Sequence, residues 1–344
     1  MDEFDRVGVF MLADPALGIT LDQAKNTLDA VLEFNRQIGV PGKLGRAGMT
    51  GQLSTTTKWT CLLDYVHYAA VEKNQGDAVR IYGDLQGMSS QLAEEIKKMG
   101  AWLFSEWFAP SLDTAGVEIM VQQGVAKEEA EAMLAGILNA LTAKSLTGIE
   151  FQVNRWNIQY LEDFIKMCLQ LGVEPHLEMQ EMQFNRGDDL IELRQKYLKS
   201  LPTKAELQRA AEMVSNLTGQ RFEELLSPFF CSGNTGMQFG MCNYWFENGV
   251  FIWPNGHGGL LRTACLSDKT VIDSDFEPTV LRLKQHLAHP LIKMRKNLKQ
   301  ENMAGTKCFS CRSWQESGCR GGCRAMAFLA TCSDFSPDPN CWQY

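Results

Sequence analysis

From about residue 20 to residue 200, segments whose hydrophobic residues have helical spacing alternate with short extended segments. The first helical stretch begins at Thr20-Leu-Asp-Gln23, which resembles a capping box, and it ends near Gly39 and Pro41. Further helices are predicted at residues 59–71, 89–99, 127–144, 158–171, 188–199 and 203–217. Strands rich in apolar residues are predicted at residues 78–82, 101–104, 148–153 and 175–179.

Repeated alternation of strands and helices is typical of an α/β fold, in which parallel strands are covered by helices. The pattern favours a barrel or partial parallel barrel, and an open sheet also fits it. The character of the chain changes around Gly219–Pro228, where cysteine, glycine and aromatic residues become frequent. We therefore predict an α/β domain at residues 1–220 and a cysteine-rich domain at residues 221–344.

Composition and charge narrow the class of protein. The net charge is −8, and no basic run interleaved with aromatic residues is present, so a wide nucleic-acid-binding face is excluded. No uninterrupted apolar stretch has membrane-spanning length, and the start of the chain, Met1-Asp-Glu-Phe-Asp5, is acidic where a signal peptide would be basic. We expect a cytoplasmic protein with no membrane partner, in which the eleven cysteines are reduced.

Six of the eleven cysteines lie in the last 37 residues. Cys308-Phe-Ser-Cys311 and Cys319-Arg-Gly-Gly-Cys323 form two short pairs separated by seven residues, and further cysteines flank them at Cys231, Cys242, Cys265 and Cys341. Eight thiolates make two four-thiolate sites, which suit either zinc or iron–sulfur clusters. Disulfides are expected of short secreted chains and not of a chain like this one.

These spacings resemble the SPASM domain, which is appended to radical S-adenosylmethionine (SAM) enzymes that mature peptides and proteins. Cys242 is followed after 13 residues by Gly256 and then by Cys265, and the later block, Cys308–Cys323, contains a CxxC and a CxxxC. Pro337-Asp-Pro-Asn-Cys341 resembles the closing segment of the family. Two gaps are longer than in the family pattern, one before Cys265 and one between the two pairs.

The resemblance implies two auxiliary 4Fe-4S clusters as cofactors. The outer cluster would be bound by Cys308, Cys311, Cys319 and Cys341. The inner cluster would be bound by Cys242, Cys265 and Cys323, with Cys231 as the candidate for its fourth ligand. Cys332 is left over and is interpreted as a core or spare thiol.

Residues 10–200 resemble, more distantly, the partial barrel of radical SAM enzymes. Those enzymes hold an initiating cluster in a CxxxCxxC loop after the first strand, and no CxxxCxxC occurs in this chain. Gly45–Gln52 also lacks the glutamate of the Gly-Gly-Glu motif of the family. Either the chain begins downstream of the cysteine loop of an active enzyme, or it is a degenerate paralogue. Asn154 lies where such barrels contact the cofactor, and a simple strand-terminating asparagine is the alternative.

The resemblance implies a radical SAM/SPASM-type maturase that modifies a ribosomally made peptide or protein, here unable to cleave SAM alone. A non-catalytic peptide-binding or electron-relay iron–sulfur protein, working with an electron donor or partner subunit, is the alternative. A zinc-stabilised structural domain is the third hypothesis. The sequence names no catalytic residue.

Overall fold

The computed structural model describes residues 7–12, 21–37, 39, 47–50, 56–75, 79–179, 190–220, 250–255, 260–263, 272–274, 279–288, 290, 294, 297–312, 314, 321–322, 327, 330–338 and 341. Its strands are β1 (Val7–Leu12), β2 (Ala47–Thr50), β3 (Val79–Gly83), β4 (Trp102–Glu106), β5 (Leu146–Val153), β6 (Glu174–Met179), β7 (Val250–Asn255), β8 (Leu260–Thr263) and β9 (Ile272–Ser274). Its helices are α1 (Leu21–Gln37), α2 (Thr56–His67), α3 (Ser90–Lys98), α4 (Thr114–Gln122), α5 (Lys127–Thr142), α6 (Leu161–Leu171), α7 (Leu190–Ser200), α8 (Lys204–Thr218) and α9 (Val280–Leu287). A π-helix, Tyr68–Glu72, continues α2. None of the helices in these ranges combines the length and the hydropathy needed to cross a membrane.

The strands form one sheet in the order β6-β5-β4-β3-β2-β1-β7-β8-β9. All neighbouring pairs from β6 to β7 are parallel, whereas β8 and β9 are antiparallel additions. The predicted α/β class with parallel strands is therefore confirmed. Strand β7 belongs to the predicted cysteine-rich domain, yet it pairs with β1 from the start of the chain, so the sheet continues across residue 220.

Helix α6 illustrates how the helical pattern produces the core. Phe164, Ile165 and Cys168 lie on one face and are buried, and the ring of Phe164 lies 4.7 Å from that of Phe151 in β5. Gly172, at a φ of 69°, ends the helix in the left-handed conformation that glycine adopts most easily. Burial raises the pKa of the Cys168 thiol, so this cysteine packs in the core as a small hydrophobic residue. Burying one such phenylalanine contributes about 2 to 3 kcal/mol.

The elements β1, β2 and α4 were not predicted from the sequence pattern. Strand β1 precedes α1 and lies in the sheet beside β2. The two alternatives for the missing cysteine loop, a chain that begins downstream of it and a degenerate paralogue, both stay predictions. The apolar run Val7–Leu12 is too short for its periodicity to distinguish a strand from a buried helix. Residues 13–20, which connect β1 to α1, lie outside the described residues and contain no cysteine.

Candidate functional site

One face of the parallel strands carries polar and aromatic side chains. Residues that are partners in neighbouring parallel strands point to the same side, and side chains alternate between sides along each strand. The residues on this side, called the inner face below, are Arg80, Tyr82, Trp102, Phe104, Glu106, Glu150, Gln152, Glu174, His176 and Glu178. The opposite face carries apolar residues such as Phe151, which contacts Phe164 of α6, so the helices cover that opposite face.

Aromatic contacts organise the centre of the inner face. The ring of Phe104 stacks on Tyr82 with centroids 4.7 Å apart, and it meets the edge of the His176 ring at the same distance. The guanidinium carbon of Arg80 lies 5.1 Å from the ring of Trp102 and 5.7 Å from that of Phe104. These cation–π distances hold the positive charge of Arg80 against the aromatic rings.

Carboxylates gather around this aromatic centre. Asp84 follows β3, Glu106 ends β4, and Glu150 lies beside Glu106 in the register of β5. Burial, together with the nearby charge of Asp84, raises the pKa of Glu106 to about 7. Glu106 can therefore hold or release a proton near neutral pH, as an acid–base group must.

Glu178 and His176 of β6 complete the inner face. They are 2% and 6% exposed, and Oε1 of Glu178 and Nδ1 of His176 have no hydrogen-bond partner among the described residues. Glu174 places a carboxylate oxygen 3.3 Å from Nε2 of His176. Buried polar atoms are costly to leave without hydrogen bonds, and this cost favours a ligand that carries donors.

Asn154 is part of a hydrogen-bonded turn at the end of β5. Its side-chain oxygen accepts hydrogen bonds from the backbone nitrogens of Trp156 (2.9 Å) and Asn157 (3.1 Å). This is the behaviour of a strand-terminating asparagine. The prediction that Asn154 contacts a cofactor stays a prediction.

Cys308 and Cys311, two of the predicted cluster ligands, lie at a short 3₁₀ turn, Lys307–Ser310. Cys308 is buried and Cys311 is half-buried. The side-chain nitrogen of Gln300 donates to the backbone oxygens of both, at 3.1 and 3.3 Å, and fixes the turn between them. A CxxC turn of this kind fits two ligands of one metal centre.

The segment that contains Cys341 lies against the glycine pair between the predicted ligands Cys319 and Cys323. The backbone nitrogen of Asp338 donates to the oxygen of Gly321 at 2.8 Å, and the nitrogen of Cys341 donates to the oxygen of Asp338 at 3.0 Å. Gly322 has a φ of +85°, and a Cβ at this position would collide with the side chain of Asp338. The fold therefore brings the closing segment to the CxxxC region, as a shared cluster requires.

The other predicted ligands, Cys231, Cys242, Cys265, Cys319 and Cys323, lie outside the described residues. Within the part of the chain that the structure describes, no three acidic, histidine or cysteine side chains converge closely enough to hold a metal ion. The assignment of eight ligands therefore stays a prediction. Cys332 is exposed, which rules out a core thiol and agrees with the other alternative, a spare thiol.

Comparison with known proteins identifies the fold. No protein-family model matches the chain, and no curated protein is detectably similar in sequence. A structure of native anSMEcpe with bound AdoMet is 12% identical, covers 97% of this chain and 94% of its own, and has a TM-score of 0.55. The same protein with AdoMet and the Cp18Cys peptide is 11% identical over 98% and 94% of the two chains, with a TM-score of 0.56. A histidine-tagged form with AdoMet is 12% identical over 97% and 90%, with a TM-score of 0.54.

anSMEcpe is a radical SAM/SPASM maturase. At this level of identity the likeness establishes a radical SAM-like fold for this chain and nothing finer.

The sequence interpretation missed the inner face. Its signal was available in the alternation Glu150-Phe-Gln152 of β5 and His176-Leu-Glu178 of β6, in which polar residues recur at every second position of a strand between helices. Parallel strands covered by helices usually carry apolar residues on both faces. Polar residues at every second position of β5 and β6 therefore indicate a functional site on one face of the sheet.

Proposed function

We propose that this chain is a radical SAM/SPASM-type protein that recognises a ribosomally made peptide or protein and does not cleave SAM by itself. The observation that carries the proposal is a radical SAM-like fold over 97% of the chain, with a β1–α1 connection that contains no cysteine. The initiating cluster of the family needs three thiolates after the first strand. That strand is β1, and the residues that follow it, 13–20, supply none.

The presence of β1 favours a degenerate paralogue over an enzyme whose cysteine loop was cut away. Strand β1 pairs with β2 over Phe10–Leu12, and α1 follows it in the sequence, so residues 13–20 join the first strand to the first helix, where the family has its cysteine loop. The segment around β2, Ala47–Thr50, likewise lacks the glutamate of the family motif.

The inner face is suited in charge to SAM, whose sulfonium and ammonium groups are cationic. Glu150 and Glu178 are almost fully buried beside the stacked rings of Tyr82 and Phe104. The rings form an apolar wall behind the carboxylates, and the carboxylates would supply acceptors for hydroxyl and ammonium groups. This chain would then bind SAM, or a fragment of it, without initiating radical chemistry.

The C-terminal cysteines would hold two auxiliary clusters. Cys308, Cys311, Cys319 and Cys341 are proposed for the outer cluster, and Cys231, Cys242, Cys265 and Cys323 for the inner one. The contacts of Gln300 with the CxxC turn, and of Asp338 with Gly321, support the outer site. Bound clusters would supply electron storage or an anchoring point for a substrate thiolate.

The deciding experiment combines metal analysis with a test for SAM cleavage. After anaerobic reconstitution we expect about eight irons and matching sulfide per chain, which corresponds to two 4Fe-4S clusters. Incubation with SAM and a strong reductant should yield no 5′-deoxyadenosine, because no thiolates hold an initiating cluster. Sustained release of 5′-deoxyadenosine by the purified chain would refute this part of the proposal, and zinc in place of iron would favour the structural-domain hypothesis.

SAM binding itself is measured by equilibrium dialysis with labelled SAM. Glu178→Gln should weaken binding about fivefold, because a buried carboxylate that accepts from a cation is replaced by an amide. Glu94→Gln, on an exposed position of α3, is the matched control and should bind as the parent does. Equal binding by both variants would remove the inner face from the proposal.

A further inference from the structure

A groove of about 550 Å³ lies between the turn after β5 and helix α8. Its lining includes the apolar side chains Ile158 and Met213 and the charged side chains Arg155 and Arg209. Trp156 stands at its edge with 55% of its surface exposed. The groove begins two residues beyond the end of β5, on the side of the sheet where the carboxyl ends of the parallel strands meet, which is where ligands bind in such folds.

The turn that presents Arg155 and Trp156 is held rigidly by hydrogen bonds. The side chain of Asn157, 1% exposed, accepts from the backbone nitrogen of Asn154 at 2.8 Å and donates to the oxygen of Gln152 at 2.7 Å. The backbone nitrogen of Arg155 donates to the oxygen of Ser200 at the end of α7, at 2.7 Å. Because the turn is fixed before any ligand arrives, little conformational entropy is lost when a ligand packs against it.

The two arginines of the groove share one unpaired carboxylate, that of Glu206, so the groove keeps an excess of positive charge. Hydrogen bonds from Thr203 and, after them, the charges of Arg155 and Arg209 lower the pKa of Glu206. The carboxylate of Glu206 is itself occupied by the backbone nitrogen and hydroxyl of Thr203, at 2.6 and 2.7 Å. Glu162, the other carboxylate of the groove, pairs with a lysine of its own helix at 2.7 Å.

We propose that this groove binds an acidic segment of a peptide, in which aspartate or glutamate stands next to an apolar side chain. The carboxylates would pair with Arg155 and Arg209, and the apolar side chain would pack on Trp156 and the apolar floor. A concave site with two guanidiniums is too small for a polyanion, and the chain as a whole carries a net charge of −8, so an acidic peptide is favoured over nucleic acid or an anionic membrane. The inference rests on the proposed peptide partner and names the chemistry that would recognise it.

The test measures fluorescence anisotropy of a short fluorescein-labelled peptide, in which two glutamates flank a Leu-Phe pair, with the full chain. Arg155→Ala and Arg209→Ala should each raise the Kd about fivefold, and the double variant about twentyfold. Trp156→Ala should raise the Kd about tenfold, because exposed tryptophans at a binding surface contribute strongly. Lys127→Ala and Leu138→Ala, on the exposed surface of α5, remove a charge and an apolar side chain elsewhere and should leave the Kd unchanged.

The peptide with glutamine in place of glutamate, and the same peptide at high salt, should bind the parent chain more weakly, because the attraction is between charges. Equal binding of the glutamate and glutamine peptides would overturn the inference, and so would unchanged binding by the double arginine variant. Tighter binding of single-stranded RNA or of anionic vesicles than of the acidic peptide would also overturn it. None of these outcomes depends on clusters or SAM, so a failure of this site is distinguishable from a failure of the proposed function.

Discussion

Replacing Gly322, one of the two glycines between Cys319 and Cys323, by alanine should destabilise the fold in two ways, through backbone strain and through steric overlap. In Gly322→Ala the added Cβ meets two penalties. The φ of +85° costs an L-residue about 1 kcal/mol, and the Cβ overlaps the side chain of Asp338. Asp338 is buried, and its backbone nitrogen donates a hydrogen bond to the oxygen of Gly321, so the residue cannot easily move away. Overlap with a fixed neighbour costs about 1 to 3 kcal/mol, so we expect a total loss of about 2 to 4 kcal/mol.

Gly305 is the matched control, since its φ of +82° is nearly the same and no atom lies within 4 Å of a Cβ added there. Gly305→Ala should lose only the strain, about 1 kcal/mol. Free energies of unfolding from urea titrations give the two losses, and iron per chain after reconstitution should fall for Gly322→Ala alone, because Asp338 lies in the segment that carries Cys341. Equal losses of stability in the two variants would refute the steric reasoning.

Three further predictions concern the α/β part of the fold. Because the pKa of Glu106 is raised from 4.5 to about 7 in the folded chain, its contribution to stability is present below pH 4.5 and is lost as the pH rises through 7. The unfolding free energy of the parent should therefore fall by about 3 kcal/mol relative to Glu106→Gln across this range, as urea titrations at several pH values would measure. Asn157→Ala should cost about 2 kcal/mol by breaking the buried turn and should weaken binding of the acidic peptide, whereas Gln91→Ala, on the exposed surface of α3, should do neither. Phe164→Ala should lower the unfolding free energy by about 3 to 5 kcal/mol, because this side chain is fully buried. Leu169→Ala, at a half-exposed position of the same helix, should lower it by less than about 1 kcal/mol, and similar losses in both variants would contradict the assigned core face.

The helices were predictable because their ends carry local signals. The predicted helix at residues 203–217 corresponds to α8, Lys204–Thr218, where Thr203 and Glu206 form a full capping box. The predicted strand at residues 175–179 corresponds to β6 within one residue. Capping and periodicity are local properties, so the sequence alone specifies them.

Elements that depend on distant contacts were missed. Strand β2, Ala47–Thr50, is a glycine-containing run of four residues that is a strand only because β1 and β3 lie on either side of it. Helix α4, Thr114–Gln122, is apolar on several sides and has no amphipathic stripe to reveal it, although Asp113 caps its start. Tertiary context decides such segments.

The candidate sites also differ in how far the sequence alone could reveal them. A cysteine pattern reveals candidate ligands because short spacings put thiolates on one turn, as at Cys308 and Cys311. The alternation of polar residues in β5 and β6 is a local signal for part of the inner face. However, only the packing of separate parts of the chain puts Glu106 and Glu178 on one face, or Arg155 and Arg209 in one groove. Register and packing are global properties, and no local pattern specifies them.

The pairing of β1 with β7 has a consequence for synthesis of the chain in the cell. The partner of β1 on that side, Val250–Asn255, leaves the ribosome long after the strands β1–β6 have been made. Until then the backbone donors and acceptors of Val7–Val9 form an open, apolar edge, on which a strand of another molecule could add. Pairing of strands that are so far apart in the sequence is slow. Newly made copies of this protein can therefore aggregate through the edge of β1 while the middle of the chain is translated, and slower translation lengthens this period.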